Sequence, residues 1–208
     1  MASVPLPFEP RPEHLMAMPI ARDPITTVEE LLALPEDGLR HELLDGEHVV
    51  TPAPALLHQR TVKLLLIALD AYLRDQRELE VFTSPADVVL GPKILLQPDV
   101  FVARRPPGGR LKKWPDVGVP AVAIEILSPG TAARDRGKKR VIYQREGVAE
   151  YWIVDIDARL VERWRPGDAR PEILRERLEW QARGAATGTG FTLELQPFFA
   201  AVWEDAES

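Results

Sequence analysis

AVAIEILSPGTAARDRGKKRVIYQREGVAEYWIVDI, residues 121–156, decides the architecture of this 208-residue chain. Its opening run is apolar apart from Glu125 and reads as a short central strand covered on both faces. Ser128-Pro129-Gly130 stops that strand, and from Thr131 to Glu146 the pattern predicts a helix that Gly147 ends. YWIVDI, residues 151–156, is a second buried strand, so the stretch forms a β-α-β unit. RLVERWRP, residues 159–166, comes next as a hairpin partner.

Working upstream, TVEELLAL (27–34) starts with a capping box, Thr27 with Glu30, and Pro35 with Gly38 ends the short helix. HELLDGEHVV (41–50) places two strand-like segments around Asp45-Gly46, a dipeptide suited to a two-residue hairpin turn. Ala55 to about Gln76 is predicted as one long helix whose apolar face, Leu57, Leu64, Leu65, Ile67, Leu69, Tyr72 and Leu73, packs across a sheet. Strands are expected at 80–83, 86–90 and 99–103, with Gly91-Pro92 breaking the stretch. RRPPGGRLKKWPDVGVP (104–120) carries too much proline, glycine and charge to be regular, and reads as a mobile flap near the site. Downstream, strands near 173–178 and 191–195 flank a glycine-rich turn, and the C-terminal FFAAVWEDAES forms a closing helix.

Residues 1–25 are proline-rich and aperiodic, which predicts an extended or disordered arm, and 26–208 are expected to form a single domain. The expected fold class is α/β: a central mixed sheet flanked by helices, with an N-terminal helix and β-hairpin.

A hydrophobic fraction of 45% and a charged fraction of 28% are those of a globular protein, and no apolar stretch approaches the ~20 residues of a membrane span. The N-terminal segment has no basic start followed by an apolar core, so a cytoplasmic location without membrane attachment is expected. With no cysteine in the chain, disulfides, thiolate metal sites and a cysteine nucleophile are excluded. HExxH, GxGxxG, GxxxxGK[ST] and GxSxG are all absent, which removes support for a zinc protease, a nucleotide cofactor or a serine hydrolase. A net charge of −6 argues against a nonspecific nucleic-acid coat but leaves room for a local basic field. Arg134, Arg136, Lys138 and Arg140 supply one, and are candidate nucleic-acid contacts, with a solvated helix face as the plainer reading.

Two acids stand out against their surroundings. Asp99 in QPDVFV and Glu125 in AVAIEIL each sit at one end of an apolar strand, where an unpaired ionised carboxylate costs several kcal/mol. A divalent metal ion would compensate both, and two carboxylates with a nearby ammonium suit metal-assisted phosphodiester hydrolysis. Lys139 supplies the ammonium. Asp135, Lys139 and Tyr143 are spaced four apart, share one helix face, and can look back toward Glu125. Simpler readings stand beside these. Asp135 and Lys139 can be a surface pair, Asp99 a turn residue, and Glu125 one half of a structural salt bridge. Strand alternation can turn Glu42 to solvent, and His58 near the start of the long helix can be structural.

HELLDG, His58, QPDVFV, AIEILSPGT, DRGKKRVIY and GVAEYWIVD, taken in order, resemble the Uma2 family, also called DUF820, of restriction-endonuclease-like domains in the PD-(D/E)xK nuclease superfamily. The resemblance runs from about Thr27 to Arg165. It implies a restriction-endonuclease-like core and a metal-dependent DNA endonuclease using Mg²⁺ or Mn²⁺. By it, Asp99 and Glu125 are the metal-binding acids, the Ile126 carbonyl is a further oxygen ligand, and Glu42 is a second acidic contributor. His58, Asp135 and Tyr143 are supporting residues. In the superfamily a lysine follows the strand glutamate by two positions; Leu127 stands there in this chain, and the resemblance gives the role to Lys139 on the next helix. DNA is the expected partner, and a homodimer is expected by analogy with nucleases that cut both strands. The competing reading is a catalytically silent nuclease-like module that binds nucleic acid or regulates.

Overall fold

An Asp-Gly pair can supply the two positive φ angles of a tight antiparallel hairpin. Asp45 (φ 53°) and Gly46 (φ 81°) do so here, joining β1 (Arg40–Leu44) to β2 (Glu47–Thr51). The computed structural model describes residues 24–51, 53–76, 78–107, 109–181 and 190–203. All but the last two residues of the expected N-terminal arm, and most of the glycine-rich turn, lie outside the described residues. Ahead of the hairpin, α1 (Val28–Leu32) begins with the expected capping box, Thr27 Oγ1 accepting from Glu30 N and Glu30 Oε2 from Thr27 N.

The long helix, α2 (Leu56–Leu73), buries His58, Thr61, Leu65, Leu69 and Leu73, a stripe stepping by three and four residues. Ile67, expected on the apolar face, is instead 58% exposed. It lies two residues beyond Leu65, roughly 200° around the helix axis at 3.6 residues per turn.

The main sheet is mixed and six-stranded, in the order β10 (Glu172–Leu174), β9 (Leu160–Trp164), β8 (Glu150–Asp155), β7 (Val122–Ile126), β6 (Val100–Arg104), β3 (Leu79–Thr83). Only β7 and β8 run parallel, as the β-α-β reading requires. The hairpin does not join this sheet. It pairs with β5 (Ile94–Leu96) and β4 (Val88–Gly91) in a separate four-stranded antiparallel sheet. β5 has no counterpart in the sequence reading, because Gly91-Pro92 looks like a break and is in fact the approach to a β4-β5 turn. The single late strand expected at 173–178 is two: β10 pairs with β9, while β11 (Arg177–Trp180) pairs with β12 (Phe191–Glu194). In the 104–120 loop, expected to be irregular, a 3-10 helix at Trp114–Val117 buries Val117 against Ala86, Val88 and Phe101.

Alternation along β7 sorts its side chains between two cores. Val122, Ile124 and Ile126 join Leu65, Leu69 and Phe198 on the side of α2 and the C-terminal α5 (Leu195–Trp203). Ala123 faces the other way, onto Tyr143, Tyr151, Leu44 and Ile94. Glu125 therefore points to that second side, between the small sheet and the crossover helix. Leu69 is fully buried in the first core, so Leu69→Ala is expected to destabilise by about 2–5 kcal/mol, read as a lower urea midpoint with an unchanged slope.

The crossover is not the uniform helix that the pattern suggests. It comprises α3 (Ala132–Arg134), a π-helical turn (Asp135–Lys139) and α4 (Arg140–Arg145). The extra residue in the π turn rotates α4 about the helix axis relative to α3, and such turns concentrate at functional sites.

Candidate active site

The acids meet because two sheets and a helix end at one place. Val100 of β6 pairs with Ile124 of β7, which sets Asp99, the residue before β6, beside Glu125. Asp99 Oδ2 accepts the Ile126 amide at 2.8 Å. On β1, Glu42 projects from the small sheet, and its Oε1 accepts the Gln97 amide at 2.8 Å. The π turn brings Lys139 between the two sheets, with Nζ 2.8 Å from both Glu42 Oε1 and Glu125 Oε1, and 3.9 Å from Asp135 Oδ1. Tyr143, one helical turn on, donates its hydroxyl to Glu125 Oε1 at 3.1 Å. His58, at the start of α2, places Nε2 3.0 Å from Asp99 Oδ2.

Of the residues expected from sequence, Glu42, His58, Asp99, Glu125, Asp135, Lys139 and Tyr143 thus converge in one buried network. Asp99 is not a self-bonded turn residue, Glu42 does not face solvent, and Asp135 and Lys139 are not a surface pair. Ile126 contributes an amide donor to Asp99. Two further residues belong to the network that sequence reasoning missed. Arg40 donates Nη1 to Asp99 Oδ1 at 2.8 Å and Nη2 to the Gln97 carbonyl, and Tyr151 donates its hydroxyl to the Asp135 carbonyl. Arg40 stands two residues before Glu42, hence on the same strand face, and that spacing was the available signal.

The basic residues of the crossover have partners within the chain. Arg136 meets Asp155 and Glu162, Lys138 meets Glu47, and Arg134 reaches Thr51 Oγ1. Arg140 donates to Gln144 and lies over the Trp164 ring at 4.7 Å.

Charge is unbalanced inside the network. Four buried carboxylates, Glu42, Asp99, Glu125 and Asp135, face two permanent cations, Arg40 and Lys139. For Lys139, burial works to lower the pKa, but Glu125, Glu42 and Asp135 override it and raise it, so the side chain stays an ammonium. For Glu125, burial raises the carboxyl well above its ordinary range, Asp99, Asp135 and Glu42 add to that, and Lys139 opposes it. For Asp99, burial also pushes upward, yet the His58 hydrogen bond and charge, together with Arg40, hold it down at about 2.

Among the described residues, no three histidine, aspartate or glutamate side chains stand as a ready-made metal-ligand set. The donor chemistry nevertheless suits a hard cation. Glu42 Oε2 and Asp135 Oδ1 are buried without hydrogen-bond partners. Mg²⁺ needs only one or two carboxylates when substrate phosphate and water complete its shell. Burial, with the neighbouring carboxylates, raises the Glu125 and Asp135 carboxyls, and a bound cation would favour their ionised forms.

Comparison with known proteins bears on the whole domain. The profile of the Uma2 family, described as "Putative restriction endonuclease", matches residues 28–196. A crystal structure from Anabaena variabilis, titled "a putative nuclease belonging to DUF820", superposes with a TM-score of 0.69 at 22% identity, covering 85% of this chain and 98% of that one. At that identity the likeness is one of fold. No curated protein matches the sequence. No helix among the described residues is long and apolar enough to cross a membrane.

Proposed function

We propose, from the premise that this chain belongs to the Uma2 family, that it is a metal-dependent DNA endonuclease whose catalytic residues are Asp99, Glu125, Lys139 and Glu42. The observation that carries the reading is Lys139 Nζ held 2.8 Å from two carboxylates of different sheets. An ammonium so placed is fixed before substrate arrives, and can stabilise negative charge developing on a phosphoryl group without reorganising. Asp99 and Glu125 would hold a Mg²⁺ or Mn²⁺ ion, which when bound supplies Lewis-acid polarisation and a lowered pKa for bound water. Arg40 and His58 orient the Asp99 carboxylate, Glu42 and Asp135 position Lys139, and Tyr143 orients Glu125. Arg134, Arg136, Lys138 and Arg140 lie on the crossover helix beside this site and would meet the phosphate backbone. Cutting both strands would call for two such sites, hence a homodimer.

The silent-module alternative has one observation in its favour: both Asp99 oxygens are already engaged, by Arg40, His58 and the Ile126 amide. Incubation with plasmid, linear duplex and single-stranded DNA separates the two readings. Cleavage with Mg²⁺ or Mn²⁺ is expected, abolished by chelator and reduced by roughly a hundredfold or more in Glu125→Gln. DNA binding without cleavage under any metal would favour the module, and cleavage persisting in chelator would remove the metal from the proposal.

A further inference from the structure

The loop between β6 and β7 differs from the rest of the surface in both packing and charge. Tryptophan is large and usually well covered, yet Trp114 is 42% exposed, the one exposed aromatic among the described residues. Around it, residues 104–116 carry five arginines and lysines against a single acid, Asp116. Arg110, Lys112 and Lys113 are exposed and make no ion pair among the described residues. The basic residues of the crossover, by contrast, have their partners within the chain.

Local contacts hold this loop in place. Val117 is buried against Ala86, Val88 and Phe101, and Leu111 packs on the same cluster. Asp116 Oδ2 accepts the Lys113 amide at 3.2 Å at the entry to the 3-10 helix. Trp114 meets Phe82 in a T-shaped contact, with centroids 5.8 Å apart and planes at 82°, which leaves at least one face of the indole uncovered by Phe82. Strand register puts this ring on the same side of the main sheet as the acids. Phe82 pairs with Phe101 and Phe101 with Ala123, so the three share a face, and alternation returns Glu125 to it. Phe82 on β3 is two strands from β7, roughly 10 Å across the sheet. Just beyond Phe82, Ser84 and Pro85 line an open cavity that Asp99 also lines.

We propose that Trp114 is a stacking platform for an unpaired base of a single-stranded nucleic acid, with Arg110, Lys112 and Lys113 meeting the phosphates of the same strand. Every base has a π face, so an exposed indole holds one without reading its identity, and neighbouring cations track the backbone. The charge argues for this occupant: three exposed cations without acidic partners suit a polyanion, and an apolar protein surface would desolvate them for no return. The inference rests on the nuclease reading for its choice of partner. It adds that the strand is gripped beside the acids, and that unpaired bases are favoured because a duplex hides its base faces in the stack.

The test is fluorescence anisotropy with a short labelled oligo-dT and with a duplex of the same length, in chelator so that nothing is cut. Trp114→Ala is expected to weaken oligo-dT binding roughly tenfold to a hundredfold and to leave the duplex nearly unaffected. Trp114→Phe keeps a ring, so its affinity should stay within roughly threefold of the unaltered protein. The quenching of tryptophan fluorescence by added strand, expected in the unaltered protein, should nevertheless shrink in Trp114→Phe, a change that a merely structural role would not produce. The double variant Lys112→Ala, Lys113→Ala is expected to flatten the slope of log affinity against log salt by roughly 1.4, about 0.7 for each lost phosphate contact. Unchanged oligo-dT affinity in Trp114→Ala, an equal loss on duplex, or no binding by the unaltered protein would overturn the proposal. So would a dimer that Trp114→Ala dissociates while strand affinity stays the same, which would give the face to a second copy. Strand binding through Trp114 without metal-dependent cleavage would sink the nuclease reading alone, and cleavage in which Trp114 plays no part would sink the platform alone.

Discussion

Lys139→Met is expected to abolish DNA cleavage and to destabilise the fold by about 3–5 kcal/mol, the usual result of removing one partner from a buried ion pair. The side chain is 3% exposed and lies against Glu42, Glu125 and Asp135. Methionine fills a similar volume, so the loss is electrostatic: three carboxylates remain with no cation between them. Urea denaturation measures the loss, and Val141→Ala, at a 46% exposed position on the same helix, serves as the control expected to stay within about 0.5 kcal/mol. The double variant Lys139→Met, Glu125→Gln separates the two roles of the lysine. Neutralising Glu125 is expected to restore part of the stability but none of the cleavage. Cleavage at the unaltered rate in Lys139→Met would remove the lysine from the catalytic set.

Asp99→Ala is expected to lose metal-dependent cleavage and, in addition, about 3–5 kcal/mol of stability, because Arg40 and His58 are left without their shared acceptor. Asp99→Asn is the cleaner test of chemistry, since the amide retains the shape and an acceptor oxygen. The pH dependence has a definite sign. A carboxyl held at about 2 when folded, against about 3.9 unfolded, contributes stability that is complete above the unfolded value and disappears as pH falls through the folded one. The gap between the unaltered protein and Asp99→Ala should therefore be constant near neutrality and narrow below pH ~4. A gap unchanged by acid would mean that ionised Asp99 does not stabilise the fold.

Local signals carried much of the fold. The Asp45-Gly46 turn and the Thr27 capping box depend on residues close in sequence and formed as the pattern predicts, and the parallel strands of the β-α-β unit did too, although a π turn interrupts its helix. Assignment of strands to sheets had no such signal. β1 pairs with β5, some fifty residues away, because Leu43 meets Leu95 and Leu44 meets Ile94 in a core that forms only after the chain has folded back. Ile67 shows the complementary failure: an apolar residue near the helix stripe was counted into it, although its angle turns it to solvent.

For the site, sequence by itself determined which residues are unusual. Charged side chains inside apolar runs announce themselves, since strand interiors exclude unpaired charge, and this marked Asp99 and Glu125 without any structure. What compensates them was decided only by the tertiary structure. Arg40 pairs with Asp99 across fifty-nine residues, and Lys139 enters between Glu42 and Glu125 through a π turn that helical periodicity does not predict. Ion pairing depends on distance in space and on local dielectric, and neither is a property of spacing along the chain.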